Sequence, residues 1–306
     1  MITVAGFNSA IDRSMVCDQL RAGRVTRVRN VIVRPGGKGL HVALTCGLLG
    51  EAVRLVGIVD RAHRVLFERA LERVGGRFVG VEIDEPIRTC IAVHDADGEA
   101  TELLEPGPPI DATRRARLAE LVLDGADRGP VVLSGSLPTE VAPAAYRDLI
   151  GALEAMGTRC LLDASGDVLR AGLEARPFLV SPNRAEAEEL SGVAIVDGDA
   201  AREAARCLIE RGASAAAISL GASGVVAAWP DGMCQLEAPV QQAVNGVGAG
   251  DSLVGGVAVG IARGLDLEAA LRLGVACGAA AVLHAEPGML HVDDVERLRP
   301  LVSRRA

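Results

Sequence analysis

Beyond Asp111 the chain alternates short apolar runs with segments of helical spacing, and this alternation restricts the fold more than any other feature. Asp111 is placed to cap a helix running to about Leu123. Val131–Leu133 then reads as a strand, Pro143–Met156 as a helix, Cys160–Leu162 as a strand, Val168–Ala175 as a helix and Phe178–Val180 as a strand. Asn183–Leu190 and Ala201–Arg211 have helical spacing, and Ala216–Leu220 is a further strand. Val225–Trp229 and Met233–Leu236 form a hairpin around Pro230-Asp231-Gly232, and helices follow at Gly250–Arg263, Leu267–Leu283 and Asp293–Leu298. Strands alternating with helices imply an α/β fold, a mostly parallel sheet covered on both faces.

The first third is less regular. Ile2–Ala5 reads as a core strand whose exit loop begins at Gly6-Phe7-Asn8, and Asp12 falls in that loop region. Gly39–Leu49 is a helix, Val53–Val59 a buried strand and Ala62–Val74 a helix. Arg24–Arg34 alternates but is too basic for a core strand, so it is expected to be exposed or to cover a ligand. Arg88–Val93 and Thr101–Leu104 form two strands joined by a turn at Asp95-Ala96-Asp97-Gly98. These interruptions predict a small sheet beside the main one. No internal repeat or low-complexity linker divides the 306 residues, so a single domain is expected.

Composition excludes several classes of function. A net charge of −8 and a pI near 5.3 argue against a general nucleic-acid binder, and 2% aromatic residues against a stacking platform for single strands. No apolar run is long enough for a membrane span, and Met1–Gly6 has no secretory leader pattern. The seven cysteines are dispersed and form no C-x-x-C pair. They read as reduced thiols, which places the chain in the cytoplasm.

In an alternating fold, ligands bind at the carboxyl ends of the strands. Six polar or glycine-bearing segments fall there: Gly6–Asp12, Gly36–Gly39, Ser134–Pro138, Ser181–Glu186, Ser219–Gly221 and Gly246–Asp251. The last one opens a helix with Gly246, Gly248 and Gly250 at every second position and then an aspartate. Glycines let backbone approach a ligand closely, and the helix start offers unpaired N–H groups to an anion. An aspartate repels phosphate, so Asp251 suits a base that takes the proton of an attacking hydroxyl. A tight strand-to-helix connection is the plainer alternative. Asn183 and Glu186 have the spacing of a capping box; the same side chains could serve a hydrated Mg²⁺. Lys38, the only lysine in the chain, lies in Pro35-Gly-Gly-Lys-Gly39, where a point charge suits a phosphate or a sugar hydroxyl. Arg27, Arg29 and Arg88 are either a solvated basic face or contacts for an anionic ligand, and the Ser136 hydroxyl is a candidate substrate contact.

Two segments, Pro35-Gly-Gly-Lys-Gly-Leu-His-Val-Ala43 and Asn245-Gly-Val-Gly-Ala-Gly-Asp-Ser252, resemble the two signatures of the ribokinase-like, or PfkB, carbohydrate kinases. Ser134-Gly-Ser-Leu-Pro138, Asp163-Ala-Ser-Gly166, Ser181-Pro-Asn-Arg-Ala-Glu186 and Ser219-Leu-Gly221 follow the same order, so the resemblance covers nearly the whole chain. Asn8-Ser-Ala-Ile-Asp12, Arg24–Arg29 and Glu105-Pro-Gly-Pro108 are most similar to the phosphosugar branch, which includes 1-phosphofructokinase and tagatose-6-phosphate kinase.

The resemblance implies a Rossmann-like core with a small β lid, here from segments 8–35 and 86–105, that often mediates dimerisation. It implies ATP and Mg²⁺, with transfer of the γ-phosphoryl group to a phosphosugar hydroxyl. Asp251 would be the base, and the N–H groups of Val247, Gly248, Ala249 and Gly250 would hold the transferring group, together with Gly246 on the ATP side. Asp12, Gly36, Gly37, Lys38, His41 and Ser136 would face the sugar. Arg88, Lys38 and Arg27 would hold its phosphate. Asn183 and Glu186 would serve metal and triphosphate, and Ser219 and Gly221 would line the nucleotide cleft. Three departures touch the sugar side: His41 stands where the branch usually has asparagine, Ser9 where it has proline, and Leu103-Leu104 replaces an Asn-rich phrase. A kinase of an unphosphorylated sugar or nucleoside, or an inactive ligand-binding protein, are the alternatives.

Overall fold

The computed structural model describes residues 1–95, 100–239 and 242–305. In chain order its elements are β1 (Ile2–Ala5), β2 (Ala10–Val16), β3 (Asn30–Gly36), α1 (Lys38–Leu48), β4 (Val53–Asp60), α2 (Arg64–Glu72), β5 (Arg77–Ile83), β6 (Arg88–His94) and β7 (Ala100–Leu104). There follow α3 (Ala112–Leu123), β8 (Val131–Ser134), α4 (Ala144–Ala155), β9 (Cys160–Asp163), α5 (Gly166–Leu173), β10 (Leu179–Val180), α6 (Arg184–Ser191) and α7 (Gly198–Glu210). The chain continues through β11 (Ala216–Ser219), β12 (Val225–Trp229), β13 (Gly232–Glu237), α8 (Ala249–Ala262), α9 (Leu267–Ala281), α10 (Val292–Leu298) and β14 (Ser303–Arg305).

The main sheet has the order β14-β13-β12-β11-β10-β9-β8-β1-β4-β5. Pairing is parallel from β5 to β11 and antiparallel from there to β14. Every residue of β1, β4, β8 and β9 is buried. Successive side chains point to opposite faces of a strand, so burial of both sets requires cover on both faces. The cationic Arg54 in β4 is only 1% exposed. Its guanidinium donates to Thr3 Oγ1 at 3.0 Å, to Asp124 at 3.3 Å and to the Leu121 carbonyl, which meets the cost of burying it.

Helix α8 is apolar nearly all round and correspondingly buried. It packs against α1 and α9. A Cβ at Gly256 would lie 2.8 Å from the Gly274 Cα, so the α8–α9 approach depends on missing side chains. Leu253, Val254, Val257 and Ile261 hold the helix in the core, each worth about 1.5–3 kcal/mol on full burial. The helix that carries Asp251 is thus fixed along most of its length.

The lid is the sheet β3-β2-β6-β7. β2 leaves β1 through Gly6–Ser9 and pairs antiparallel with β3 and parallel with β6. Asn8 Nδ2 ties this exit to two other loops, donating to Pro106 O at 3.0 Å, Ser136 Oγ at 2.9 Å and Leu137 O at 3.2 Å. Asp60, at the carboxyl end of β4, accepts from Ile87 N at 2.9 Å and so anchors the start of β6.

Two expectations need correction. The strand expected over Arg24–Arg34 runs instead from Asn30 to Gly36, and Arg24–Arg29 precede it in turn and loop conformation. Asp12 lies within β2, not in a loop. A neighbour on each side satisfies β2's backbone groups, which overrides its weak apolar pattern. The half-buried strand β5 and the C-terminal β14 have no counterpart in the sequence reading. The turn expected at 95–98 lies largely outside the described residues.

Candidate active site

A cavity of about 500 Å³ opens between the lid and the carboxyl ends of the main strands. It brings together Asp12, Gly37, Lys38, His41, Arg88, Ser136, Asn183, Glu186, Ser219, Gly246, Val247, Gly248, Gly250 and Asp251, all expected to line a site.

The floor is the turn before α8. Gly248 caps this helix at φ 79°, and a Cβ there would lie 2.6 Å from Gly288, so the position admits only glycine without strain. Val247 N–H donates to Asn245 Oδ1 at 3.0 Å and Ala249 N–H to Gly246 O at 3.3 Å. Among the described residues, the N–H groups of Gly248 and Gly250 take no protein acceptor, and both residues line the cavity. Of the four N–H groups expected to face an anion, these two are therefore the ones without a protein acceptor. Asp251 stands in the first turn of α8 and is buried.

His41, on α1, lies between two carboxylates. Its Nδ1 is 3.0 Å from Asp251 Oδ2 and its Nε2 3.5 Å from Asp12 Oδ2. Burial pulls the imidazole pKa down, but the hydrogen bonds and charges of Asp12 and Asp251 outweigh it and push the group up to about 10. Lys38 Nζ is 3.3 Å from Asp163 Oδ1, and Ser134 Oγ donates to Asp163 Oδ2 at 3.1 Å. The Asp163 charge raises the Lys38 pKa above its ordinary value against the pull of burial. Sequence reasoning gave Asp163 no role; its place in the Asp163–Gly166 segment was the available signal.

Arg88 opens β6 and donates to Asn8 O and Glu105 O, both at 3.2 Å. These bonds hold the guanidinium at the cavity wall. Arg13, also on the wall, is a second lid arginine that the sequence did not single out.

Asn183 and Glu186 form a complete capping box. Asn183 Oδ1 accepts from Glu186 N at 3.0 Å, and Glu186 Oε2 from Asn183 N at 2.9 Å. Both also line the cavity, so the capping role does not remove them from it. Burial pushes the Glu186 carboxyl pKa up. Among the described residues no group of three or more His, Cys, Asp or Glu side chains forms a metal cage. An oxygen-only pair lining an open cavity instead fits a Mg²⁺ ion that retains water.

Four expected site residues do not line the cavity. Arg27 is exposed ahead of β3. Gly221 opens a short 3-10 turn after β11, and Ala249 is the first residue of α8. Gly36 lies beneath Asp12, as its missing side chain requires. All seven cysteines are free, and among the described residues no helix is long and apolar enough to cross a membrane.

The chain is similar to known proteins over its whole length. A family model described as "pfkB family carbohydrate kinase" matches residues 1–290. A 1-phosphofructokinase of Rhodobacter capsulatus is 32% identical over 306 residues, covering 98% of this chain and 95% of the relative. A 1-phosphofructokinase of Vibrio cholerae serotype O1 is 30% identical over 295 residues, covering 96% and 92%. Among solved structures, phosphofructokinase-2 from Escherichia coli in complex with substrates and products has a TM-score of 0.92 at 29% identity, with 99% of each chain covered. Ribokinase of Arabidopsis thaliana has a TM-score of 0.79 at 21% identity over 97% of this chain and 98% of that one, a likeness of fold.

Proposed function

We propose that this chain, which belongs to the pfkB family of carbohydrate kinases and is a phosphotransferase with an alcohol acceptor, moves the γ-phosphoryl group of ATP to a hydroxyl of a phosphosugar. One observation carries the reading. The buried Asp251 and the N–H groups of Gly248 and Gly250 share a cavity with the cations Lys38 and Arg88. The first set suits phosphoryl transfer and the second an anionic acceptor.

Asp251 takes the proton of the acceptor hydroxyl as that oxygen bonds to the γ-phosphorus. The bond from the γ-phosphorus to the bridging oxygen breaks, and ADP leaves with the electron pair. The Gly248 and Gly250 N–H groups stabilise the charge on the transferring group, aided by the dipole of α8. Asp12 orients the sugar, and Arg88 and Lys38 hold its phosphate. Asn183 and Glu186 would hold a hydrated Mg²⁺, which when bound would supply positive charge against the triphosphate. Exposed apolar side chains of the lid, among them Val31, Val33, Leu103 and Leu104, support pairing of two copies through it.

The test is ATP turnover across a panel of sugars and phosphosugars, read by the mass of the product. A product only from phosphosugars supports the proposal; a product only from neutral sugars or nucleosides replaces it with the rival kinase reading. Tight binding without product would indicate a ligand-binding protein. Asp251→Asn should retain ATP binding and lose roughly 10²–10⁴ in turnover. Wild-type turnover in that variant would remove Asp251 from the role of base.

A further inference from the structure

Both ring nitrogens of His41 face a carboxylate. Nδ1 faces Asp251 at 3.0 Å and Nε2 faces Asp12 at 3.5 Å. A neutral imidazole has one donor and one acceptor, so between two carboxylates it would aim a lone pair at one of them. Only the imidazolium presents an N–H to both. The ring is also sterically fixed: a Cβ on Gly288 would lie 2.6 Å from His41 Cγ, so this glycine's backbone rests on the imidazole.

The charged surroundings agree. Asp12 approaches from β2 and Asp251 from α8. Lys38, one turn earlier on α1, is bonded to Asp163. Arg34 of β3 pairs with Glu286 in the loop after α9, and Gly288 of that loop brings no charge.

Resting on the reading of Asp251 as the base, we propose that His41 is a positioning residue, an imidazolium that locks the lid carboxylate Asp12 and the base Asp251 into one network. Asp12 belongs to the lid and Asp251 to α8, which is buried in the core. The bridge therefore sets the lid's sugar-facing carboxylate and the base at a fixed separation across the cavity. It has a second effect: two carboxylates and one imidazolium carry one net negative charge where an uncharged residue at 41 would leave two. That lowers the repulsion met by a phosphoryl anion arriving beside Asp251. His41 keeps both protons through the reaction, because the hydroxyl proton goes to Asp251. In this role His41 shapes the site through the two carboxylates, where an asparagine would offer its amide to the sugar.

The experiment is ¹⁵N NMR of the full-length protein labelled at histidine. One of its five histidines should show both ring nitrogens protonated from pH 6 to 9. That signal should vanish in His41→Asn and shift in Asp12→Asn. In parallel, His41→Gln should lower kcat by roughly 10–100-fold with the KM for ATP unchanged. In the His41→Gln background, Asp12→Asn should cost much less than in wild type. A His41 signal titrating near the ordinary value of about 6.5 would overturn the proposal. So would independent, multiplying effects of Asp12→Asn and His41→Gln. Full turnover in Asp251→Asn with the doubly protonated signal intact would remove the base and leave the bridge, so the two readings fail separately.

Discussion

The carboxylate of Asp12 occupies the space where a side chain on Gly36 would be: a Cβ at that glycine would fall 2.0 Å from Asp12 Cγ. The two residues are on paired strands, β2 and β3, and Asp12 overhangs the end of β3. Gly36 thus acts on the site without lining it.

Gly36→Ala should push Asp12 away from His41 while leaving the fold intact. A misplacement of about 1 Å can cost up to 10²-fold in rate, so kcat/KM for the sugar substrate should fall by roughly 10–100-fold with the KM for ATP unchanged. Steady-state kinetics beside a far-ultraviolet circular dichroism spectrum would check this. Unaltered kinetics would mean that Asp12 does not depend on the space at Gly36.

Arg88→Ala and Lys38→Ala separate a phosphosugar from a neutral substrate. A hydrogen bond to a charged group is worth about 1.5–3 kcal/mol, so each variant should raise the KM of a phosphosugar by roughly 10–100-fold. The KM of the matching unphosphorylated sugar should hardly move. Equal effects on both substrates would assign these residues to the scaffold.

Glu186→Gln tests the metal separately from the helix cap. Glutamine at the third helical position can still complete a capping box, so the melting temperature should stay within a degree or two of wild type. Loss of the carboxylate should raise the Mg²⁺ concentration needed for half-maximal turnover several-fold. An unchanged Mg²⁺ titration would confine Glu186 to the cap.

The His41 imidazole also predicts a pH dependence of stability. Its folded pKa is raised from 6.5 to about 10, so the folded state holds the proton more tightly than the unfolded chain. The stability it contributes is therefore full below pH 6.5, declines as pH rises towards about 10 and is gone above that. The difference in melting temperature between wild type and His41→Asn should shrink across that window. A difference that grew with pH would give the sign against a protonated His41.

The α8 turn was readable because its signal is local: alternate glycines, an aspartate and helical spacing lie within a few residues. The regular strands and helices after Asp111 were readable for the same reason, since each carries its own period. β2 was not. Ala10–Val16 contains Asp12, Arg13 and Ser14, and only pairing with β3 and β6 makes it a strand. β5 is a half-buried edge strand with a central glycine, which weakens its pattern. Contacts within the site were the least readable. Lys38 and Asp163 are 125 positions apart, and His41 and Asp251 are 210 apart. The sequence marks Lys38, His41 and Asp251 as candidates but not Asp163, and folding alone decides that the imidazole spans two carboxylates and that the lysine meets Asp163.

The glycine contact between α8 and α9 has a bearing on how such a protein can change over generations. A methyl group at Gly256 would collide with backbone of the facing helix, so drift there is penalised at once. Many apolar side chains of the lid strands, by contrast, are exposed in the single chain and meet no such backbone contact within it. Within the chain, close packing therefore constrains the helix behind the phosphoryl-handling turn more tightly than the strands of the lid. New acceptors can be explored by altering the lid, with the chemistry inherited unchanged.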